Sequence, residues 1–280
     1  MAINLSTAFV TLFDAEVKQA YQATAALRGA VRVRSGVEGS TYKFPKIGKG
    51  VAQVRVPQTD VAPLNVTYSQ VTATLSDYIA AEYSDIFMQQ KVNFDERREL
   101  VKVVSNAIGR RQDQLVLDAL SASSTSLTVS NDIGGTDTNL NVAKLREAKR
   151  LMDASNVPMD GRTIIIHADS LASLLGETAV TSSDFNSVKA LVQGDINTFL
   201  GFNFITLGDR SEGGLPIDGS SDRTLYAFHR DALGMAEGIA PKTEINYVPE
   251  KTSFLVASMF SAGAVAIDDE GIVKITCREA

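Results

Sequence analysis

Residues 93–121 read NFDERRELVKVVSNAIGRRQDQLVLDALS, and the reading of this stretch decides the architecture. The spacing predicts one long helix. Asn93 is placed to cap the first free backbone N–H groups, with Glu96 three residues on to complete a capping box. Asp95, Glu96 and Glu99 crowd the first turns, where the helix dipole favours negative charge. Leu100, Val104, Ala107, Ile108, Leu115 and Ala119 recur at three- and four-residue steps as one apolar stripe. No proline interrupts it. The charged side carries Arg97, Arg98, Lys102, Arg110 and Arg111, either as a solvated face or as a face turned toward a partner subunit. The helix reads as a spine across which other parts of the chain lie.

Working back toward the N-terminus, residues 76–92 bridge into the spine, with Tyr78, Tyr83, Ile86 and Phe87 expected beneath it. Before them, VTYSQVTATLSDYIAAEY (66–83) is rich in β-branched residues and predicts one long strand. VAQVRV (51–56) alternates and is its expected partner, with PQTDVAPLN as the turn. Residues 45–70 are poor in large apolar side chains, and an isolated hairpin is marginal in water. Such a hairpin folds back on its own domain or projects onto a neighbour. Residues 1–35 are loosely amphipathic and read as an arm.

Beyond the spine, a Ser/Thr/Asn/Gly run (121–139) marks a lobe boundary. LNVAKLREAKRLMDAS (140–155) predicts an amphipathic helix and TIIIHA (163–168) a buried strand. ADSLASLLG (168–176) predicts a short helix starting at Asp169 or Ser170 and stopping at Gly176. SDFNSVKALVQG (183–194) predicts another helix and FLGFNFITLG (199–208) a strand. Residues 209–223 read as a surface loop. TLYAFHRDALGMAEG (224–238) reads as a strand and a turn that sets residues 232–238 beside it. KTEINYV, SFLVASMFSAGAVAI and IVKITC alternate as returning strands that pack on the spine. The fold class is α+β.

The chain has 280 residues, 44% of them apolar, and a formal net charge of −6. A core of ordinary size is within reach. Without a basic cluster, any contact with nucleic acid is expected to be weak and non-specific. The single cysteine, Cys277, excludes an intramolecular disulfide and a cysteine-built zinc site, and its place in an alternating run predicts a buried thiol. The N-terminus is a poor signal peptide, and no apolar run approaches the roughly 20 residues needed to span a bilayer. The chain reads as a soluble protein made in a cytoplasm, with no membrane partner.

Motifs for catalysis are sparse. His167 and His229 are the two histidines. There is no Gly-x-Ser-x-Gly elbow, no His-x-x-x-His and no Cys-x-x-Cys, and Gly48-Lys49-Gly50 lacks the length and the following helix of a phosphate loop. Asn131, Asp132, Asp137 and Asn139 lack EF-hand spacing and read as solvated loop residues. Asp268-Asp269-Glu270-Gly271 reads as a hairpin tip rather than a cation site. No catalytic, cofactor or metal residue is therefore expected. The reading of another class is a soluble hydrolase using His167 or His229.

The ordered set of elements resembles the major capsid proteins of tailed bacteriophages, with the Hong Kong-phage (HK) capsid fold. The local text carries the likeness across nearly the whole chain. SDYIAAEYSDIFMQQKVNFDERRELVKVVSNAIGRRQDQLVLDAL resembles their hairpin-to-spine segment. TIIIHADSLASLLG resembles the strand and short helix of the inserted A domain, and FLGFNFITLGD and TLYAFHRDALGMAEG resemble the strands that follow. EINYVPEKTSFLVASMFSAGAVAIDDEGIVKITC resembles the closing strands of the P domain. The resemblance implies an N-arm at 1–35, an E-loop at 36–80, a P domain at 81–121 and 243–280 with its spine helix at 93–121, and a region containing the A domain at 122–242.

The function so implied is a coat protein that assembles as pentamers and hexamers into an icosahedral shell around double-stranded DNA. Assembly is expected in the host cytoplasm, with a portal at one vertex. The chain begins at Met1 without a long charged helical prefix, so a separate scaffolding protein is the expected partner. Candidate intersubunit contacts are Lys43, Lys46, Lys49, Arg55, Arg97, Arg98, Arg110 and Arg111. Some relatives cross-link a loop lysine to a neighbour's asparagine; Lys43, Lys46 and Lys49 are the lysines at hand, with no acceptor identified. An encapsulin-type nanocompartment, with the same fold and a similar length, is the nearest alternative.

Overall fold

The computed structural model describes residues 22, 24–58, 60–61, 63–91, 95–177 and 198–279. In chain order the strands and helices are β1 (Arg32–Ser35), β2 (Thr41–Ile47), β3 (Tyr68–Thr74), β4 (Ser76–Asp85), α1 (Ile86–Gln89), α2 (Glu96–Ser121), β5 (Thr128–Val129), α3 (Val142–Ala154), β6 (Arg162–His167), α4 (Ala168–Leu175), β7 (Thr198–Phe199), β8 (Phe202–Leu207), β9 (Asp222–His229), β10 (Leu233–Val248), β11 (Ser253–Ala266) and β12 (Ile272–Arg278). They build a four-stranded sheet ordered β1-β10-β11-β4, a six-stranded sheet ordered β5-β12-β9-β6-β8-β7, and a separate β2-β3 ribbon.

The spine is present as α2, whose 26 residues span about 39 Å. Its cap is Asp95, which accepts the Arg98 N–H at 3.3 Å; Asn93 lies outside the described residues. Val104, Ile108, Val116, Leu117, Ala119 and Leu120 are buried, so the stripe turns further round the helix than its sequence spacing indicated. Asp113 is buried as well, and it explains how other segments lie across the spine. Its carboxylate accepts backbone N–H groups of Ala26 at 3.0 Å and Leu27 at 2.9 Å, and a guanidinium N–H of Arg210 at 3.0 Å. Burial pushes this carboxyl up, while those three partners pull it down. The crossing chain needs room: a Cβ on Gly109 would stand 3.0 Å from the Ala25 nitrogen.

Residues 24–35 are therefore part of the body. Leu27 and Val31 are core residues, and β1 pairs in parallel with β10. The part of the expected arm at 1–21 lies outside the described residues.

The hairpin is built from other strands than expected. β2, which contains Pro45, pairs antiparallel with β3, whereas residues 51–56 form no strand. Proline is tolerated at the edge of a ribbon because no ladder donor is needed on its outer side. The expected 66–83 strand breaks at Leu75, whose N–H turns to Ser40 O at 2.9 Å. β4 then leaves the hairpin and forms the edge of the four-stranded sheet beside β11. On it, Tyr78 stacks on Phe260 beneath the spine, whereas Tyr83 and Phe87 are exposed.

The second lobe contains α3, capped by Asn141, and the wholly buried strand β6. α4 follows it directly and is capped by His167 rather than by Asp169 or Ser170, with Gly176 at its end. The expected strand at 199–208 is broken after β7 by a turn at Leu200 and Gly201, both at positive φ. The predicted helix at 183–194 lies outside the described residues. After β9, residues 233–238 do not fold back beside it but open β10 in the other sheet. Of the returning strands, β10 and β11 join the spine's sheet, while β12 crosses to the six-stranded sheet between β5 and β9. Residues 268–271 are thus a corner between sheets, not a hairpin tip. One continuous core joins α2, both large sheets and α3. Among the described residues, no helix is long and apolar enough to cross a membrane.

Candidate assembly surfaces

The β2-β3 ribbon is locked at its base and open at its tip. Phe44 and Ala73 pack with Ala236 and Ile267 in a small separate cluster. Two glycines of the sheet below make the approach possible. A Cβ on Gly234 would meet the Phe44 ring at 2.7 Å, and one on Gly263 would meet the Thr74 carbonyl oxygen at 2.0 Å. The last rung is the Gly48 N–H to Thr67 O at 2.8 Å.

Past that rung the chain exposes apolar side chains. Val54 is 93% exposed, Val61 89% and Val51 81%, and Val56 and Leu64 are more than half exposed. Val54, Val56, Val61 and Leu64, together with Ala52 and Arg55, line one shallow hollow. The four-stranded sheet also carries open apolar side chains, Ile79 and Ile239 on one face and Ile245 and Tyr247 on the face that bears the spine. Exposed apolar side chains gathered in this way mark interaction surfaces.

The basic residues divide into two groups. Lys46 pairs with Asp268 at 2.8 Å and Lys49 with Glu270 at 2.6 Å, so the corner between the sheets holds the foot of the hairpin. The Glu270 carboxylate raises the Lys49 ammonium above its ordinary value. Arg97 lies over the Phe254 ring at 4.7 Å. Arg111 lies over the Tyr78 ring at 4.5 Å and reaches Glu212 at 3.3 Å, and the Tyr78 hydroxyl is the largest cause of its raised pKa. These four side chains act within the subunit. Lys43, Arg55 and Arg98 are exposed, and Arg110 is half-buried on α2.

Both histidines end buried strands, and each caps the helical turn after its strand. His167 Nδ1 accepts the Asp169 N–H at 3.3 Å, and His229 Nδ1 accepts the Asp231 N–H at 3.2 Å while Nε2 lies 2.8 Å from Asp160 O. Ser170, close to His167, directs its hydroxyl at Asn139 and Glu279 instead. Among the described residues no hydroxyl is hydrogen-bonded to either ring. The 131–139 loop, expected to be merely solvated, is tied to β12 through Arg278, which pairs with Asp137 at 3.0 Å. Cys277 is buried, and burial pushes its thiol up to about 12.

The family model described as phage capsid protein matches residues 5–279. No curated protein matches the chain. Among solved structures, the capsid of cyanophage P-SCSP1u superposes with a TM-score of 0.75 at 14% identity, covering 100% of this chain and 96% of that one. The Mycobacterium phage Che8 structure gives 0.73 at 16% identity, covering 94% and 95%. The head of Helicobacter pylori bacteriophage KHP40 gives 0.75 at 12% identity, covering 96% and 95%. The α+β arrangement described above is therefore the fold of phage capsids.

Proposed function

The chain belongs to the phage capsid protein family and is a major capsid protein of an icosahedral shell, and from that premise we propose that the projecting loop at 48–67 is the element that closes the shell. The observation that carries this reading is the contrast along one ribbon. Its base is locked by Phe44, Gly234 and Gly263, while its tip holds Val51, Val54, Val56, Val61 and Leu64 away from the body. Each such side chain, once covered, contributes on the order of 1.5 kcal/mol. Repeated around a shell, modest contacts of this size close a stable container.

In this reading the open face of the four-stranded sheet, or the exposed side of the spine, receives a neighbour's loop. Lys43, Arg55, Arg98 and Arg110 supply polar contacts at the rim, within pentamers and hexamers. The shell encloses the double-stranded DNA of a tailed phage, after assembly in the host cytoplasm with a separate scaffolding protein and a portal at one vertex. The net charge of −6 supports a DNA contact that is weak and without sequence preference.

The test is to replace residues 50–65 with an Asn-Gly turn, which suits a tight hairpin. Circular dichroism is expected to match the parent chain, and electron microscopy to show no closed shells. Shells like those of the parent would overturn the assignment. So would unfolding, which would place the loop in the subunit's own fold.

A further inference from the structure

His167, Asp169 and Glu279 come together where β6 meets α4 and the chain ends. His167 Nδ1 lies 3.3 Å from Asp169 Oδ2 and 3.4 Å from Glu279 Oε1. The three ligand atoms all lie within 4.8 Å of one another. A tetrahedral ion with bonds of about 2.0–2.1 Å needs ligand atoms about 3.3 Å apart. The two distances from the imidazole meet that requirement.

The surroundings also suit a cation. Three carboxylates, Asp169, Asp209 and Glu279, lie within 3.4 Å of the His167 imidazole, and Arg223 pairs with two of them, Asp209 and Glu279. Arg223 Nε binds Glu279 Oε2 at 2.8 Å and so holds that carboxylate with Oε1 turned toward the imidazole. Arg223 also donates to Leu215 O and lies 3.4 Å from Asp209, which fixes it in place. His167 is buried, with its side chain 3% exposed, yet Nε2 makes no hydrogen bond of good geometry among the described residues. That nitrogen stands 3.1 Å from Asp209 Oδ1. A histidine that ligates a metal through one nitrogen commonly donates its other N–H to a carboxylate, which fixes the tautomer. Asp169 is 68% exposed and leaves the ion a path from solvent.

We propose that His167 Nδ1, the Asp169 carboxylate and Glu279 Oε1 form a zinc site completed by water, with Asp209 orienting the imidazole. One imidazole with two carboxylates is a donor set that zinc accepts. The ion replaces the long hydrogen bond from the Asp169 N–H to Nδ1. It joins the end of β6, the first turn of α4 and the residue after β12, and so staples the chain end to the second lobe. The role is structural, and it is independent of how the loop at 48–67 docks.

The experiment uses the full-length coat protein, stripped with a chelator and dialysed against Zn2+ alone. Bound zinc is measured by atomic emission, and geometry by the visible spectrum after Co2+ replacement. The wild type is expected to retain one ion per chain, with the intense absorption of four-coordinate cobalt and a raised Tm. D169N is expected to bind at least tenfold more weakly, and D209N roughly 10–100-fold more weakly. Both carboxylates are solvent-exposed, so these variants keep the fold. E270Q, at the remote corner between the sheets, is expected to bind as wild type does. No stoichiometric uptake by the wild type, or equal uptake by D169N, would overturn the site.

Discussion

Arg28 and Glu237 are separated by 209 residues and joined by two hydrogen bonds, Nε to Oε1 at 2.7 Å and Nη2 to Oε2 at 2.8 Å. The carboxylate is buried and the guanidinium half-exposed. The pair fastens the segment entering the body to β10 at the place where the β10–β11 register shifts. Ser35 adds a third hydrogen bond to the carboxylate at 3.0 Å.

The two partners are unequal in what their loss leaves behind. R28A strands a buried carboxylate and is expected to cost about 3–5 kcal/mol. E237Q leaves a guanidinium that water can reach, at about 1–3 kcal/mol. Arg28 chiefly, with Ser35, holds the Glu237 carboxyl below its ordinary 4.5. A depressed carboxyl contributes stability above its unfolded value and loses it as pH falls through the folded one. The Tm gap between wild type and E237Q should therefore be steady at neutral pH and narrow below about pH 4.5. Thermal unfolding of the two chains across pH checks this; a gap that widens on acidification contradicts it.

Asp113 joins the entering segment, the spine and Arg210 in one buried knot. D113A leaves the backbone N–H groups of residues 26 and 27 without their acceptor and takes from the Arg210 guanidinium its carboxylate partner. It is expected to cost about 3–5 kcal/mol, read as a lower urea midpoint at unchanged m-value.

Hairpin docking depends on Gly263 and Phe44. Alanine at 263 drives a methyl group into the Thr74 carbonyl, a backbone atom that cannot swing aside. G263A is expected to cost about 1–3 kcal/mol or more. F44A empties the small cluster without touching the main core. In F44A, hydrogen exchange is expected to quicken in residues 41–47 and 68–74 while 162–167 stay protected. Uniform loss of protection would show that the two cores are one unit.

Cys277 is a buried residue of β12, with its thiol raised to about 12. At pH 8 only about one thiol in ten thousand is ionised, and it is the thiolate that reacts. A disulfide reagent should label the native protein only at the rate at which it unfolds. Fast stoichiometric labelling would mean that the chain end is open.

The sequence revealed what local pattern encodes. The spine, α3, β6 and the strand-to-helix step into α4 all follow from apolar spacing and caps. The hairpin strand was misplaced because VAQVRV alternates without a partner, while TYKFPKI hides a real strand behind Pro45. Leu75 ends a strand through a bond to Ser40, and residue spacing carries no sign of that bond. The burial of Asp113, Lys144, Arg162 and Glu237 leaves no mark in the local sequence because their partners are distant or are backbone carbonyls, such as Thr276 O for Lys144 and Val157 O for Arg162. Glu279 meets His167 only because β12 leaves the spine's sheet, which the alternation of the last forty residues does not specify. Of the expected contact residues, Lys46, Lys49, Arg97 and Arg111 have partners within the subunit, and this too depends on tertiary structure.

The most direct measurement is a cryo-electron microscopy reconstruction of shells assembled from the wild-type chain. The account predicts that Val51, Val54 and Val61 are buried against an adjacent subunit while Phe44 stays on Gly234 of its own. Closed shells in which those three valines face solvent would contradict it.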